Sequence, residues 1–154
     1  MHVQIDRFED NGWVVLLLYP GGERSFDAPR ELVWRAFLEP EQLTRWWGKR
    51  GWTAPVETIT VDPRPGGVFR LVGINETDGR EMPTNAVFRE VVEPERLVMA
   101  EQRSVTTITF TDLGDGRTEV YLHTTTQASE EIRRSMEGGL NSALDRLAET
   151  LEAQ

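Results

Sequence analysis

The sequence predicts an α+β fold in which a curved antiparallel sheet of about seven strands wraps around one long C-terminal helix. Residues 56–126 keep a hydrophobic period of two and are interrupted by tight turns, as in an antiparallel meander. Residues 129–152 keep a helical period with one apolar stripe, which has to pack on one face of that sheet. Two short helices are predicted between the first strands and the meander.

The first strands are expected at the N-terminus. The apolar run Val14–Leu18 has strand length and lies between two clusters of turn residues, at positions 10–12 and 20–22. We expect residues 3–8 to pair with this run. Residues 1–22 would then form an additional hairpin in front of the main fold.

Proline and glycine positions set the expected bounds of the two short helices. Asp27 and Pro29 predict the start of the first helix, because aspartate caps free N–H groups and proline suits the first turn. Pro40 ends this helix, since the residue before a proline avoids the helical region. The second helix then begins at Pro40 and stops at Gly48. The long last helix is expected to begin at the N-cap Ser129.

Length, charge and cysteine content exclude several classes of protein. The 154 residues fit one domain, residues 1–154. The net charge of -9 argues against nucleic acid and against an anionic membrane as partners. With no cysteine and two histidines, we expect no disulfide, no metal site and no other cofactor. The chain shows neither a signal peptide nor a run long enough to span a bilayer, so we expect a cytoplasmic protein.

Alternation along the predicted strands separates an inward face from an outward face. The inward face is apolar, with Ile59, Val61, Phe69, Leu71, Ile108, Phe110, Val120 and Leu122. For residues 86–92 the parity stays open, because either Val87, Arg89 and Val91 or Ala86, Phe88 and Glu90 point inward.

A strongly bent sheet often does not close completely around a helix, so we expect an apolar pocket between the two. Trp46 and Trp47 either line its mouth or pin the second helix to the sheet. Adjacent helical residues point about 100° apart, so the two are not expected to do the same job, and core packing is favoured for Trp46. The residues expected to line the pocket are Trp47, Ile59, Val61, Phe69, Leu71, Phe88, Ile108, Phe110, Met136, Leu140, Ala143 and Leu144.

No catalytic residue is predicted. The parity of His123 is opposite to that of Val120 and Leu122, which places it on the outer face, whereas Ser-His-Asp chemistry needs a histidine in the cleft. The loop at residues 62–67 lacks the glycine-rich cradle with lysine and serine or threonine that forms a phosphate loop. No spacing specifies a carboxylate pair among the acidic residues on or beside strands, which are Glu57, Asp62, Glu90 and Glu101.

Several sequence blocks, taken in order, resemble one protein family. They are residues 26–37 (FDAPRELVWRAF), 43–48 (LTRWWG), 62–67 (DPRPGG), 91–98 (VVEPERLV), 136–139 (MEGG) and 144–147 (LDRL). Together they resemble the activator of 90-kDa heat shock protein ATPase homologue family, within the START-like (SRPBCC, helix-grip) superfamily, over residues 24–152. The resemblance implies a seven-stranded sheet that grips the C-terminal helix.

The resemblance does not imply one reaction, because a fold shared by many activities does not fix any of them. Superfamily relatives bind lipids, polyketides or other apolar ligands, and in eukaryotes the homologous domain belongs to a co-chaperone. We therefore expect an apolar small molecule, lipid-like or aromatic, as the partner. The alternatives are contact with a chaperone whose ATPase is stimulated, and a polyketide cyclase-like enzyme. The protein is expected to be a monomer or a homodimer.

Two features of the last helix bear on the expected pocket. Gly138 and Gly139 lie inside it at a cost of about 1 kcal/mol each relative to alanine. Either a close approach of strand and helix or room for a ligand or a bend explains them. Leu140 stands where the family often has tryptophan. This replacement by leucine is expected to enlarge or reshape the pocket.

Overall fold

The computed structural model describes residues 2–7, 13–19, 25–102, 104–127 and 142–153. Its strands are β1 (His2–Arg7), β2 (Trp13–Tyr19), β3 (Ser25–Phe26), β4 (Trp52–Thr53), β5 (Thr60–Val61), β6 (Val68–Asn75), β7 (Glu81–Val92), β8 (Arg96–Glu101), β9 (Ser104–Asp112) and β10 (Thr118–Gln127). Its helices are α1 (Arg30–Leu38), α2 (Pro40–Trp46) and α3 (residues 142–152), with a short 3₁₀ helix at Val56–Thr58.

All the strands join one antiparallel sheet, which confirms the predicted fold class. Eight of them follow the order β1-β2-β10-β9-β8-β7-β6-β4, while β3 pairs with β10 and β5 pairs with β6. The sheet is wider than the seven strands expected, because the N-terminal hairpin adds two strands at one edge and the short β4 adds one at the other. Strands β6 to β10 form the meander that the period of two predicts.

The N-terminal hairpin forms as expected and continues the sheet. His2 pairs with Tyr19 and Arg7 with Val14 across β1 and β2. Strand β2 then pairs with the far end of β10, from Leu122 to Gln127, while β3 pairs with the beginning of the same strand. Strands β2 and β3 therefore both run along one edge of β10.

Helix α1 begins at a different residue from the one predicted. Its N-cap is Pro29, whose carbonyl oxygen accepts hydrogen bonds from the N–H groups of Leu32 at 3.0 Å and Val33 at 3.2 Å. No side chain caps it, so the prediction that Asp27 does so is wrong. Asp27 lies two residues before the cap, whereas a capping side chain sits at the cap and reaches forward to the second or third helical N–H.

Helix α2 has the predicted bounds. It begins at Pro40, and the C-cap Trp47 donates its N–H to the Leu43 carbonyl oxygen at 3.0 Å. The following Gly48 has a φ of +82°, a conformation that side-chain-bearing residues rarely adopt. The chain can therefore turn sharply from α2 towards β4.

A β-bulge decides the parity that the sequence leaves open in residues 86–92. The register of β7 against β8 shifts between Phe88 and Glu90. Before the bulge Ala86 and Phe88 are buried, and after it Val91 packs against the core while the Glu90 side chain is half exposed. Each alternative is therefore right for one half of the segment, because a bulge adds one residue and reverses the alternation.

Helix α3 packs its apolar side on the concave face of the sheet. Ala143, Leu144, Leu147 and Leu151 are buried in one core with residues of α1, α2 and the sheet. The stripe that the sequence predicts is therefore present in residues 142–152. The predicted start at Ser129, the Gly138–Gly139 pair and Leu140 lie outside the described residues.

Candidate functional site

A cavity of about 640 Å³ lies between the concave face of the sheet and the three helices. Pockets that hold small organic ligands have volumes of about 300–1,000 Å³, so this space is large enough for one. Its described lining residues are Phe37, Trp46, Trp47, Gly48, Lys49, Trp52, Phe69, Gly73, Met82, Thr84, Ala86, Met99, Glu101, Ser104, Thr106, Ile108, Leu122, Thr124, Ala143 and Leu144.

Aromatic rings form one part of the wall. Phe37 of α1 packs on Trp46 with ring centroids 4.9 Å apart, and Trp46 lies 5.6 Å from Trp47. Trp47 in turn lies 5.3 Å from Phe69 of β6. Edge-to-face and tilted rings at these separations attract one another, so the chain of rings connects both short helices to the sheet.

The two adjacent tryptophans have different jobs, as their spacing predicts. Trp46 is 2% exposed, and its indole N–H donates to the Ala36 carbonyl oxygen at 2.8 Å. That oxygen would otherwise accept from residue 40, which is a proline without an N–H group. The Trp47 ring is less buried, and its indole N–H has no hydrogen-bond partner within the described residues. Trp46 therefore fastens α2 to α1, whereas none of the described residues accepts a hydrogen bond from the Trp47 indole.

Trp52 adds a third indole to the cavity wall. It follows the turn after α2, in the short strand β4, where the sequence pattern predicts no strand. The guanidinium of Arg80 lies 5.9 Å from the centroid of its ring, a cation–π distance. On the neighbouring strand β6, a Cβ built on Gly73 would lie 3.7 Å from the Trp52 ring, so the indole lies close to the β6 backbone.

Polar side chains line another part of the cavity. The hydroxyls of Thr106 and Thr124 lie 2.9 Å apart and share one hydrogen bond. Ser104 donates to a carboxylate oxygen of Glu101 at 3.3 Å. Glu101 is exposed, as is Lys49 in the turn after α2, so the charged groups of the lining lie near solvent.

Arg146 of α3 holds the turn that carries Trp47 and Trp52. Its Nη1 donates to the carbonyl oxygens of Trp47 at 3.1 Å, Gly48 at 3.0 Å and Trp52 at 3.3 Å. Its Nη2 donates to the carbonyl oxygen of Arg45 at 3.1 Å. Carbonyl groups at the end of a helix have no partner within the helix. One guanidinium therefore satisfies several of these carbonyl groups at the end of α2 and holds the turn that forms part of the cavity wall.

Neighbouring contacts fasten the same turn to α3. The Arg50 N–H donates to the Ser142 hydroxyl at 2.9 Å, and the Arg50 side chain forms an ion pair with Glu149. Burial lowers the pKa of Arg146 from its ordinary value, and the positive charge of Arg50 lowers it further. An arginine with so high an ordinary pKa still carries its charge at neutral pH.

The structure places the predicted pocket residues in three groups. Trp47, Phe69, Ile108, Ala143 and Leu144 line the cavity. Ile59, Leu71, Phe88 and Phe110 are buried in the core, and Val61 packs against it; none of these five borders the cavity. Met136 and Leu140 lie outside the described residues.

Other lining residues were not predicted, although alternation could have found some of them. Thr106 and Thr124 have the same parity as Ile108 and Leu122, but their polarity kept them off a list of apolar residues. Met99 and Ala86 follow the same rule on β8 and β7. Trp52 gave no such signal, because β4 has only two residues.

Two of the candidate carboxylates outside the cavity have structural partners, whereas the third, Glu57, is exposed and has no ion pair within the described residues. Asp62 and Glu90 form ion pairs with Arg64 and Arg96, at 2.7 and 3.4 Å. In the loop of residues 62–67 the N–H groups of Arg64, Gly66 and Gly67 all donate to carbonyl oxygens, so they do not form an anion cradle.

Within the described ranges no three acidic or histidine side chains are grouped to hold a metal ion. The side chain of His123 lies outside what the structure describes. No helix among the described residues is long and apolar enough to cross a membrane.

Residues 27–152 match the family model described as Activator of Hsp90 ATPase homolog 1-like protein. The chain belongs to this family. The resemblance seen in the sequence blocks is therefore confirmed, and it covers nearly the whole region between β3 and the end of α3. A comparison with curated protein sequences found no match.

Solved structures share the fold of this family member. A protein from Nitrosomonas europaea is 24% identical with a TM-score of 0.73, covering 94% of this chain and 97% of that one. A protein from Arthrobacter aurescens is 23% identical with a TM-score of 0.74, covering 99% and 92%. The AHSA1 protein from Silicibacter pomeroyi is 19% identical with a TM-score of 0.72, covering 92% and 98%. At these identities the similarity establishes the fold alone.

Proposed function

We propose that this family member binds an apolar small molecule, lipid-like or aromatic, in the cavity between the sheet and the helices. The observation that supports the proposal is a space of about 640 Å³ whose described lining is mostly apolar and includes three tryptophans. Burial of apolar ligand surface contributes about 25 cal/mol per Å², and indole rings add stacking contacts. A few polar groups at one side would orient the ligand.

Native mass spectrometry of gently purified protein tests the proposal even while the ligand is unidentified. We expect an adduct of small-molecule mass that is lost on denaturation. In parallel, a panel of lipids and aromatic compounds should change the tryptophan fluorescence, because Trp46, Trp47 and Trp52 all border the cavity. Absence of both an adduct and a fluorescence change across the panel would count decisively against ligand binding.

A pair of variants on β7 tests whether the cavity is the binding site. Thr84 lines the cavity, whereas its neighbour Asn85 is exposed on the other face of the strand. Thr84→Phe fills part of the space and should weaken binding of any panel compound at least about tenfold, or 1.4 kcal/mol. Asn85→Phe adds the same ring outside the cavity and should leave the affinity unchanged. Equal effects of the two substitutions would place the ligand elsewhere.

The description of the family supports a second candidate, contact with an Hsp90-type chaperone that raises its ATPase rate. This function needs a docking surface rather than a cavity. A coupled ATPase assay with the chaperone and saturating protein separates the two proposals. Stimulation that survives Thr84→Phe would support the chaperone contact, and no stimulation at saturation would exclude it.

A cyclase-like enzyme is the remaining alternative, and it requires a titratable group in the cavity. Glu101 and Lys49 both border the cavity, so the required groups exist at its rim. Glu101→Gln would abolish such a reaction while preserving the binding of apolar ligands. The oligomeric state, monomer or homodimer, stays a prediction that sedimentation velocity measures.

A further inference from the structure

The polarity of the concave face changes in steps along strands β8, β9 and β10. Leu97, Ile108 and Leu122 lie opposite one another in one cross-strand row, and all three are buried. Two residues along each strand, the next row contains Met99, Thr106 and Thr124. The row after that contains Glu101 opposite Ser104. Rows on one face of a sheet are about 7 Å apart, so the wall passes from hydrocarbon to hydroxyl to carboxylate over about 14 Å.

The middle row holds one hydroxyl hydrogen more than its described acceptors use. Thr106 and Thr124 have two hydroxyl hydrogens, and their mutual hydrogen bond of 2.9 Å uses one of them. The other hydrogen has no acceptor in the described part of the chain. Thr124 is only 6% exposed and Thr106 is half-buried, and both residues border the cavity. A hydroxyl hydrogen held away from water without an acceptor is costly, and a ligand oxygen would provide the acceptor that the described residues do not.

The charged residues of the cavity lining favour a neutral ligand oxygen over a carboxylate oxygen. Glu101 lies one row further towards the rim, and the protein carries a net charge of -9. The other charged lining residue, Lys49, is exposed in the turn after α2. A carboxylate at the threonine pair would therefore lose its hydration beside hydroxyl groups alone, with no counter-ion at that depth among the described lining residues. A neutral oxygen accepts the same hydrogen bond without that cost.

We propose that the preferred ligand is a ring system carrying a neutral oxygen, a carbonyl or hydroxyl group, which hydrogen-bonds to the Thr106–Thr124 pair while its rings lie against the tryptophans. This inference rests on the proposed function, because it names the class of ligand for the same cavity. Thr106 and Thr124 act as specificity-determining residues. The apolar row and the aromatic wall supply affinity, and the hydroxyl pair distinguishes between compounds of the same shape.

Three probes of nearly equal size test the inference by fluorescence titration and calorimetry. They are acetylnaphthalene, with a ketone, ethylnaphthalene, with a hydrocarbon chain, and naphthoate, with a carboxylate. We expect the ketone to bind about three- to tenfold more tightly than the hydrocarbon, the range of one net hydrogen bond. Naphthoate should bind no more tightly than the hydrocarbon. Tighter binding of naphthoate than of the ketone would overturn the inference.

Variants distinguish hydrogen bonding from packing. Thr106→Val combined with Thr124→Val should remove the preference for the ketone while leaving the affinity for ethylnaphthalene unchanged, because neither hydroxyl is then left to donate. Thr106→Ser should keep the preference. Thr107→Val is the matched control, because Thr107 follows on the same strand and faces the opposite side of the sheet. Equal loss of affinity for both probes in the double variant would show a structural role and overturn the inference.

The outcomes also separate this inference from the proposal beneath it. Equal affinities for the ketone and the hydrocarbon, both weakened by Thr84→Phe, would overturn the ligand class and leave binding in the cavity intact. No binding of any naphthalene probe, together with no adduct in native mass spectrometry, would overturn both.

Discussion

The guanidinium of Arg146 lies 3.1 Å from the carbonyl oxygen of Trp47, a residue 99 positions earlier in the sequence. Through this contact and three others, a single side chain of α3 fixes the turn that follows α2. The wall of the cavity is therefore held by the same helix that covers the sheet. Any change in the position of α3 would be passed to the Trp47 and Trp52 rings.

Arg146→Leu is expected to destabilise the fold by about 2–4 kcal/mol, because it leaves several carbonyl oxygens without their charged donor. Arg146→Lys should recover only part of this, since one ammonium group cannot reproduce the planar arrangement of donors. Urea unfolding measures both. Arg89→Lys is the control, because Arg89 is exposed and its side chain has no ion pair or hydrogen bond within the described residues. Full stability in Arg146→Lys would contradict the role of the guanidinium geometry.

Substitutions of the two adjacent tryptophans should affect the unfolding free energy to different extents. Trp46→Phe removes the donor to the Ala36 carbonyl oxygen, which Pro40 cannot replace, and should lower the unfolding free energy by about 1–3 kcal/mol. Trp47→Phe removes no hydrogen bond within the described residues, so its effect on stability should be smaller. Its effect should appear in ligand affinity, because the ring borders the cavity. Equal stability losses in urea unfolding would show that this division is wrong.

Neighbouring glycines in the turn before β6 should respond differently to alanine. A Cβ at Gly67 would lie 2.0 Å from the Asp62 carbonyl oxygen, so the backbone must move, and we expect a loss of about 2–4 kcal/mol. At Gly66 a Cβ meets nothing in the described part of the chain, but the φ of +84° should cost about 1–2 kcal/mol. Thermal unfolding of Gly67→Ala and Gly66→Ala measures the order. A more stable Gly67→Ala protein would contradict the packing of this turn.

A pH-dependent contribution is expected from the turn between β6 and β7. The pKa of Asp78 is lowered, first by the hydrogen bond that the Arg80 N–H donates at 3.0 Å and also by the Arg80 side chain. Because the folded pKa lies below the unfolded one, the stabilisation is complete above the unfolded value of about 3.9 and disappears as the pH falls through the folded value.

Asp78→Asn should therefore be less stable than the wild type near neutral pH and equal to it in acid. Urea midpoints at several pH values measure the difference between the two proteins. Glu57→Gln, at an exposed carboxylate without an ion pair in the described part of the chain, is the control. A difference that does not shrink in acid would assign the effect to shape rather than charge.

Sequence patterns determined the fold class and most of its elements. Alternation in residues 56–126 and helical spacing after residue 129 require one face of a sheet and one stripe of a helix to meet. Pro40 and Gly48 placed the bounds of α2, because their backbone restrictions are local. The sequence blocks that resemble the family are themselves local patterns, several of them containing proline or glycine, so the sequence alone was enough to predict membership of the family.

The cavity wall was decided by tertiary structure. Alternation places a side chain on a face but does not say whether that face is filled or empty, so Phe110 packs in the core while Ile108, two residues earlier, borders the space. The bulge at Phe88 reversed a parity that local sequence does not encode. Arg146 meets Trp47 and Trp52 only because α3 lies beside the turn after α2. Local chemistry fixes elements, whereas the space left between elements depends on how distant residues pack together.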